Sequence, residues 1–249
     1  MSRTAIYTAL VLRNRPSGES NSEVTLLTAE EGIIKATVFG GPKSKLRAHS
    51  APNNSGKVWI YRDKAKEYMK LSDFDVRSWR TGLRELYERT MTAYAVAETI
   101  ITSHGGGGDW GIALKLAIDT LDTLENANEE LCERLFVHFL WRWAAFLGIQ
   151  PNLEVCASCG RDTEKDLNGN QLWFNVREGA VFCSACMQSA CTVQQLNTGS
   201  RKWLSEAGML EPEFLHRYSM DNKSLSEVKS LTTSILTGAF GKRPMSYNI

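Results

Sequence analysis

The sequence predicts a multidomain α+β protein, in which a small N-terminal β-barrel precedes an α-helical domain that carries a four-cysteine insertion. Three observations lead to this fold class. Five short runs rich in β-branched and aromatic residues fall within the first 80 of the 249 residues. From residue 83 onwards, apolar residues recur at three- and four-residue steps, as they do on one face of a helix. Two Cys-x-x-Cys pairs interrupt this helical region.

The five strand-like runs predict a small barrel. They cover residues 5–13, 23–28, 32–39, 57–62 and 68–76. Five short strands in such a length favour a barrel of the OB type, which commonly binds single-stranded nucleic acid. An SH3-like barrel has a comparable number of strands and remains an alternative at this point.

Two predicted loops of the barrel carry cations. Residues 13–20 join the first two strands and contain Arg13 and Arg15, whereas residues 40–47 follow the third strand and contain Lys43, Lys45 and Arg47. Glycine, proline and serine in both stretches are typical of turns. Lysine and arginine in a loop often do no more than keep it solvated, so the loops alone do not decide their role.

The distribution of charge favours an anionic partner for the barrel. Residues 1–80 contain 14 Lys and Arg against 8 Asp and Glu, a net charge of +6, whereas the rest of the chain has 15 against 20, a net charge of −5. We therefore expect the barrel to bind nucleic-acid phosphates through both loops and its strands. The expected contacts are Arg13, Arg15, Lys35, Lys43, Lys45, Arg47, Lys57, Trp59 and Arg62.

The helical region is predicted to contain five helices. The first runs over residues 83–103 and ends before four glycines, and the next two begin after the capping residues Asp109 and Asn128. A short helix is expected within residues 194–208, and the pattern Ser224-x-x-Glu227 predicts a capping box at the start of the last helix. The predicted domains are therefore residues 1–80 for the barrel, 81–152 and 191–249 for the two parts of a helical domain, and 153–190 for the insertion.

Four cysteines in the insertion predict a zinc site. Cys156 and Cys159 form one pair, Cys183 and Cys186 form the other, and 23 residues separate the pairs. Two residues between the cysteines of a pair allow both thiolates to face one ion, and four thiolates suit Zn²⁺. Four sulfurs complete the coordination of zinc, so we expect one structural ion per chain. Residues 172–176 and 180–182 of the spacer predict a hairpin.

Disulfides are the alternative use of these cysteines. The chain opens on a strand-like run and not on a signal peptide, which favours the cytoplasm, where thiols stay reduced. Of the other two cysteines, Cys132 is expected in a helix core, and Cys191 is left unassigned.

Catalytic signatures are absent from the sequence. The four histidines are scattered, the H-x-E and P-C-x-x-C halves of a zinc deaminase do not occur, and there is no G-x-S-x-G. No apolar run approaches the roughly 18 residues of a membrane span. These observations predict a binding protein and not an enzyme.

Three stretches of the chain resemble the RecO family of bacterial recombination mediators. They are the opening run AIYTALVLRNRPSGESNSEVTLLTAEEGIIKATVFGG, the basic PKSKLR after the third strand, and LFVHFLWRWAAFLGIQPNLEVCASCG, where a helix ends in Leu-Gly-x-x-Pro and leads into the first cysteine pair. The resemblance implies an N-terminal OB-fold, a helical domain and a zinc module. It also implies a nucleoid-associated protein that binds single- and double-stranded DNA and anneals complementary strands.

The resemblance further implies protein partners. These are RecR, single-stranded-DNA-binding protein (SSB) and, indirectly, the RecA filament that is loaded on SSB-coated DNA. The acidic C-terminal tail of SSB is expected to bind the helical domain, in an apolar pocket edged by cations. The candidate residues are Arg134, Trp141, Arg142, Arg201, Lys202 and Trp203. An RNA-binding or transcription accessory factor and a pure interaction scaffold are the alternative functions.

Overall fold

A computed structural model describes residues 4–41, 44–63, 65, 67–106, 108–163, 172–187 and 193–248. The chain forms two compact units, Met1–Ala127 and Asn128–Ile249. The predicted fold class is confirmed: a closed five-stranded barrel comes first, and helices and four clustered cysteines follow.

The barrel consists of five strands that correspond to the five predicted runs: Thr4–Ser17 (β1), Asn21–Thr28 (β2), Gly32–Val38 (β3), Ser55–Asp63 (β4) and Tyr68–Ser78 (β5). The strand order is β1-β2-β3-β5-β4, and β4 pairs with β1 to close the ring. Strands β3 and β5 are parallel, and the other neighbours are antiparallel. Alternate residues such as Leu26, Ile34 and Ile60 fill the interior, as the two-residue period of a strand requires.

The first loop is shorter than the sequence suggested. Arg13 and Arg15, predicted in a loop, lie in β1, which continues to Ser17 and remains paired with β2 after a register shift that follows Val11. Cross-strand pairing therefore outweighs the turn signals of the intervening residues. The turn is confined to residues 18–20, where Gly18 adopts a φ of +71°.

The second loop contains a helix. Residues Lys45–His49 form α1, so the prediction of a flexible loop over Lys45 and Arg47 is wrong, and Lys43 lies outside the described residues. Burial explains this short helix, because Leu46 packs against the barrel core. Its C-terminal end is tied to β1 by Asn14, whose Nδ2 donates to the backbone oxygen of Ser50 at 3.0 Å and to Ser50 Oγ at 2.9 Å.

Two helices complete the first unit. A 3-10 turn over Thr81–Arg84 leads into Tyr87–Thr102 (α2), and Trp110–Leu124 (α3) follows. Asp109 caps α3 as predicted, because its Oδ1 accepts a hydrogen bond from the backbone N–H of Ile112 at 3.1 Å. The indole of Trp110 packs against Gly32, where a Cβ atom would lie 2.7 Å from the ring. Helices α2 and α3 thus share a compact unit with the barrel, whereas the predicted division into four segments placed them in a helical domain. That division remains a prediction.

Arg80 is a buried link between β4, the preceding loop and α3. Its Nε donates to Asp122 Oδ1 at 2.6 Å, and its Nη1 donates to the backbone oxygen of Asn53 at 2.6 Å and to Ser55 Oγ at 3.0 Å. The Arg80 side chain is fully buried. Because this guanidinium is buried, water does not replace a hydrogen bond when one of its partners is lost. The three hydrogen bonds therefore stabilise the fold.

We expect Arg80→Ala to lower the free energy of unfolding of the first unit by about 3 kcal/mol, because three hydrogen bonds to a charged group are lost. Urea denaturation monitored by circular dichroism measures this change. The matched control is Arg84→Ala, four residues further on, since Arg84 is exposed. Equal losses for the two variants would contradict the assignment of Arg80 as a buried link.

The second unit begins with a long helix and a small sheet. Helix α4 spans Glu129–Phe146, and Asn128 caps it as predicted. Strands Leu172–Asn175 (β6), Ala180–Cys183 (β7) and Val193–Leu196 (β8) form an antiparallel sheet in the order β7-β6-β8. The predicted hairpin is confirmed by β6 and β7. Residues 194–196 pair with β6 in the sheet, so the short helix predicted within residues 194–208 begins after them, at Thr198.

Two helices follow the sheet. They are Thr198–Glu206 (α5) and Asn222–Phe240 (α6). The predicted cap of α6 is wrong by three residues, because Asp221 Oδ1 accepts a hydrogen bond from the backbone N–H of Ser224 at 2.9 Å. Glu227 does not close a capping box. Its Oε2 accepts hydrogen bonds from the backbone N–H of Asn197 and from Ser200 Oγ, both at 2.7 Å, and so joins α6 to the start of α5. Among the described residues, no helix is long and apolar enough to cross a membrane.

Candidate metal centre and nucleic-acid interface

The four cysteines of the insertion form one cluster. The sulfur atoms of Cys156, Cys159, Cys183 and Cys186 all lie within 4.8 Å of one another, and those of Cys159 and Cys183 are 3.9 Å apart. All four are free thiols and not disulfides. A zinc–sulfur bond of about 2.3 Å in a tetrahedron places neighbouring sulfurs roughly 3.8 Å apart. The cluster therefore has the dimensions of a site that holds a metal ion.

Backbone hydrogen bonds form the two turns that present the cysteines. The N–H of Gly160 donates to the oxygen of Cys156 at 2.9 Å, and the N–H of Cys186 donates to the oxygen of Cys183 at 3.1 Å. Gly160 has a φ of +68°, which a residue with a side chain rarely adopts. Strand β7 carries Cys183 to the cluster, and Ala157 joins the first turn to this strand through a 2.9 Å bond to the oxygen of Val181.

The electrostatics of the cluster favour binding of a cation. Burial raises the pKa of Cys156, but hydrogen bonds from the backbone N–H groups of Cys183, Cys159 and Ser158 outweigh that effect and lower the pKa to about 6. Hydrogen bonding to the sulfurs of Cys159 and Cys183 raises the pKa of Cys186 to about 12. Four thiolates this close repel one another, so complete ionisation of the cluster requires a bound positive ion.

Three of the predicted nucleic-acid contacts share one face of the barrel. Arg13 of β1 pairs with Thr25 of β2, and Thr25 pairs with Lys35 of β3, so the three residues form a row across the strands. The next outward row contains Arg15, Glu23 and Thr37. Both rows face away from the barrel interior, because their neighbours Val24 and Ala36 belong to the core; Arg15 and Lys35 are exposed, Arg13 is half-buried and Thr25 is buried. We call Arg13, Arg15 and Lys35 the cationic face.

Helix α1 is linked to β1 through Asn14, on the side of the strand opposite to Arg13 and Arg15. Arg13 and Arg15 flank Asn14, whose side chain holds Ser50, and Ser50 Oγ donates to the backbone oxygen of Arg47 at 3.1 Å. Lys45 on the same helix is exposed, and Arg47 is half-buried. The two predicted basic segments are thus neighbours along β1, but their cations are not shown to share one face.

The remaining predicted contacts lie among acidic residues. On β4, Lys57 is opposite Asp75 and Trp59 is opposite Asp73, so carboxylates offset the cation and line the indole. The Arg62 guanidinium forms an ion pair with Glu31 and lies 5.6 Å from the centre of the Tyr7 ring. An anion bound at these positions meets like charge, as it also does at Arg15, which lies opposite Glu23, whereas Arg13 and Lys35 lie on either side of the neutral Thr25.

Tyr7, Glu31 and Arg62 form a coupled group. The Tyr7 hydroxyl donates to Glu31 Oε1 at 2.7 Å. Burial, followed by this hydrogen bond, raises the pKa of Tyr7 to about 12. Burial raises the pKa of Glu31, but hydrogen bonds from Tyr7 and Arg62 outweigh that effect, so the pKa of the carboxyl group is lowered overall. The Glu31 carboxylate thus already accepts hydrogen bonds from both Tyr7 and Arg62.

Three further outward residues were not predicted as contacts. They are Phe39, Tyr68 and Lys70, at the end of β3 and the start of β5, and Lys70 lies opposite Thr37 in the parallel pair. Because a sequence does not reveal that the third and fifth strands are neighbours, no pattern in the chain could have grouped them.

All six predicted partner residues belong to the second unit, and three of them are buried in it. Trp141 is 3% exposed and Trp203 is 4% exposed, so these tryptophans are core residues and not surface anchors. Tight packing explains this for Trp141, because a Cβ atom on Gly208 would lie 2.6 Å from its ring. Arg142 donates to the backbone oxygens of Met209 and Leu210, and Arg201 donates to Thr163 Oγ1. Arg134 is half-buried, and Lys202 is exposed.

The chain therefore belongs to the class of proteins that combine a closed OB barrel with a helical region and a four-cysteine cluster. Residues 1–79 match the family model described as "Recombination protein O N terminal", and residues 84–248 match the one described as "Recombination protein O C terminal". The chain belongs to the RecO family of DNA repair proteins. The boundary between the two family models lies near the predicted end of the barrel domain, whereas the compact units divide after Ala127.

Curated relatives agree with this family along most of the chain. The DNA repair protein RecO of Syntrophomonas wolfei subsp. wolfei is 25% identical over 228 residues, which cover 89% of this chain and 85% of the relative. The RecO protein of Desulfatibacillum aliphaticivorans is 25% identical over 96% of this chain and 93% of its own length. That of Chlorobium limicola is 28% identical over 83% of this chain and 86% of its own length.

Proposed function

We propose that the chain is a non-enzymatic DNA-binding recombination mediator. It binds single- and double-stranded DNA, anneals complementary strands and, together with RecR, helps to load RecA on SSB-coated single-stranded DNA. The observation that carries this proposal is the cationic face of Arg13, Arg15 and Lys35 on an OB barrel of the RecO family.

The cationic face provides affinity without sequence specificity. Guanidinium and ammonium groups neutralise phosphates and release condensed counterions, a contribution that is the same for every sequence. Two complementary strands repel each other through their phosphates. A protein that screens both strands at once therefore speeds their encounter, which is the physical basis of annealing without an enzymatic step.

The four-cysteine cluster holds one structural zinc ion in this proposal. Four sulfur ligands suit zinc and leave no position for water or substrate. The ion joins the turn after residue 155 to the end of β7 and so fixes the first cysteine turn to the β6–β7 hairpin. Zinc acts as a scaffold and takes no part in DNA chemistry.

The protein partners follow from family membership. RecR and the acidic tail of SSB are the proposed partners, and Arg134 and Lys202 are the cations that a tail can reach on the second unit. A tail peptide that binds residues 1–127 instead would move the site to the barrel unit.

The proposal is tested by annealing two complementary oligonucleotides with the full-length protein, with and without SSB. We expect faster annealing, and an affinity for single strands that falls as salt rises, with a slope of about 0.7 per phosphate contact. Affinities for single-stranded DNA, duplex DNA and RNA at one salt concentration separate this function from an RNA-binding one. Absence of salt-dependent DNA binding would overturn the proposal.

A further inference from the structure

An exposed aromatic ring and a cation form a small cluster beside the cationic face. Phe39 is 43% exposed, although it follows a strand whose inward residues are fully buried. Lys70 Nζ lies 5.2 Å from the centre of the Phe39 ring, and the Tyr68 ring lies 6.3 Å from it at an angle of 59°. We call Phe39, Tyr68 and Lys70 the Phe39 platform.

The platform continues the cationic face along the barrel. Residues 35, 37 and 39 alternate with the buried residues 34, 36 and 38, so Phe39 points outward on the same side as Lys35. The pairing of Thr37 with Lys70 brings the start of β5 next to this side. The row of Arg15, Glu23 and Thr37 therefore ends at Lys70.

We propose that the Phe39 platform binds one unpaired base of single-stranded nucleic acid, with the base stacked on the Phe39 ring. This inference rests on the proposed function, since it assigns a base site next to the phosphate contacts of the cationic face. An exposed aromatic face accepts any of the four bases, because each base has a π-face. Lys70 stands beside the ring as the cation for the adjoining phosphate.

The contact between Lys70 and Phe39 does not block the ring. A cation over an exposed aromatic ring contributes about 2- to 5-fold to an equilibrium constant, whereas a base stacked on such a ring contributes about 5- to 100-fold in affinity. The flexible lysine chain can exchange the ring for a phosphate oxygen. A base therefore replaces the ammonium on the ring, and the ammonium gains a phosphate oxygen as its partner.

The platform distinguishes single strands from duplexes. Bases in a duplex are stacked on one another and offer no free face to a protein side chain, whereas phosphates are accessible in both forms. The cationic face thus serves both kinds of DNA, and the platform adds affinity for single strands alone.

The test compares Phe39→Ala with the wild-type full-length protein at one salt concentration, using an oligothymidine strand and a duplex of equal length. We expect the affinity for oligothymidine to fall about 5- to 100-fold and the affinity for the duplex to change less than about 2-fold. Phe39→Trp should retain binding to both. Phe39→Leu keeps a large apolar side chain, so it serves as the test if Phe39→Ala disturbs folding. Leucine has no planar face, so this variant should lose single-strand affinity like Phe39→Ala.

Two controls complete the test. Trp79→Ala removes another exposed aromatic of the same unit, which packs edge-on against His49, and should leave both affinities unchanged. Lys70→Gln should lower the salt slope for single strands by about 0.7. Wild-type protein without salt-dependent DNA binding would defeat the proposed function. If the wild-type protein binds DNA but Phe39→Ala lowers the affinity for both DNA forms equally, or for neither, the platform is wrong and the proposed function stands.

Discussion

Cys183→Ser is expected to remove the bound metal and to destabilise the second unit by about 5 kcal/mol, a part of the roughly 10–16 kcal/mol that a structural zinc contributes to folding. Serine does not replace a thiolate as a zinc ligand, and Cys183 is a buried member of the cluster at the end of β7. Metal analysis by mass spectrometry and urea denaturation measure the two effects. DNA affinity per folded molecule should change little.

Cys132→Ala provides the control for the metal prediction. Cys132 is buried in α4 and does not belong to the cluster, so this variant should retain one zinc per chain. Protein purified without chelator that contains no zinc would contradict the assignment. Full zinc occupancy in Cys183→Ser would show that the cluster is not the site.

Reversal of the cationic face is expected to have the largest effect on DNA binding. The combined variant Arg13→Glu, Arg15→Glu and Lys35→Glu should lower the slope of log affinity against log salt by up to about two units and weaken single-strand binding about 100-fold at moderate salt. Binding to all sequences should weaken alike, because phosphates carry no base information. Fluorescence anisotropy at a series of salt concentrations measures both quantities.

Lys57→Glu is the matched control on the same barrel. Lys57 lies opposite Asp75 on β5 and its reversal changes one charge, whereas the combined variant changes three, two of them beside the neutral Thr25, so we expect less than about a 3-fold change in binding. A larger loss for Lys57→Glu than for the combined variant would move the interface to β4 and β5. Zinc content should be normal in both variants, since the cysteine cluster belongs to the second unit.

The strands were predictable because they alternate, and the places where prediction failed depended on distant partners. Residues 13–17 extend β1 despite the turn residues Pro16 and Gly18, since they remain paired with β2 as far as Ser17 opposite Asn21. A helix as short as α1 shows no recognisable period, and the burial of Leu46 that stabilises it is visible only in three dimensions. Strand β8 forms because β6 offers an edge, which the local propensities of residues 193–196 do not reveal.

The candidate sites were predictable to different degrees. Cysteine spacing identified the metal cluster, because the chemistry depends on residues that are close in sequence within each pair. The cationic face depends on register, so the sequence indicated which cations belong to the barrel but not that Arg13 and Lys35 flank Thr25. The Phe39 platform depends on the parallel pairing of β3 with β5, a neighbour relation that a single sequence does not contain.

Closure of the barrel has a consequence for how the first unit meets other macromolecules. Every barrel strand lies between two neighbours, but β3 and β5 are paired at one position only, Thr37 opposite Lys70. An open edge invites the addition of a strand from another chain, which leads to aggregation when proteins are crowded. The other four seams pair over at least seven positions each, so a strand from another chain would have to enter between β3 and β5.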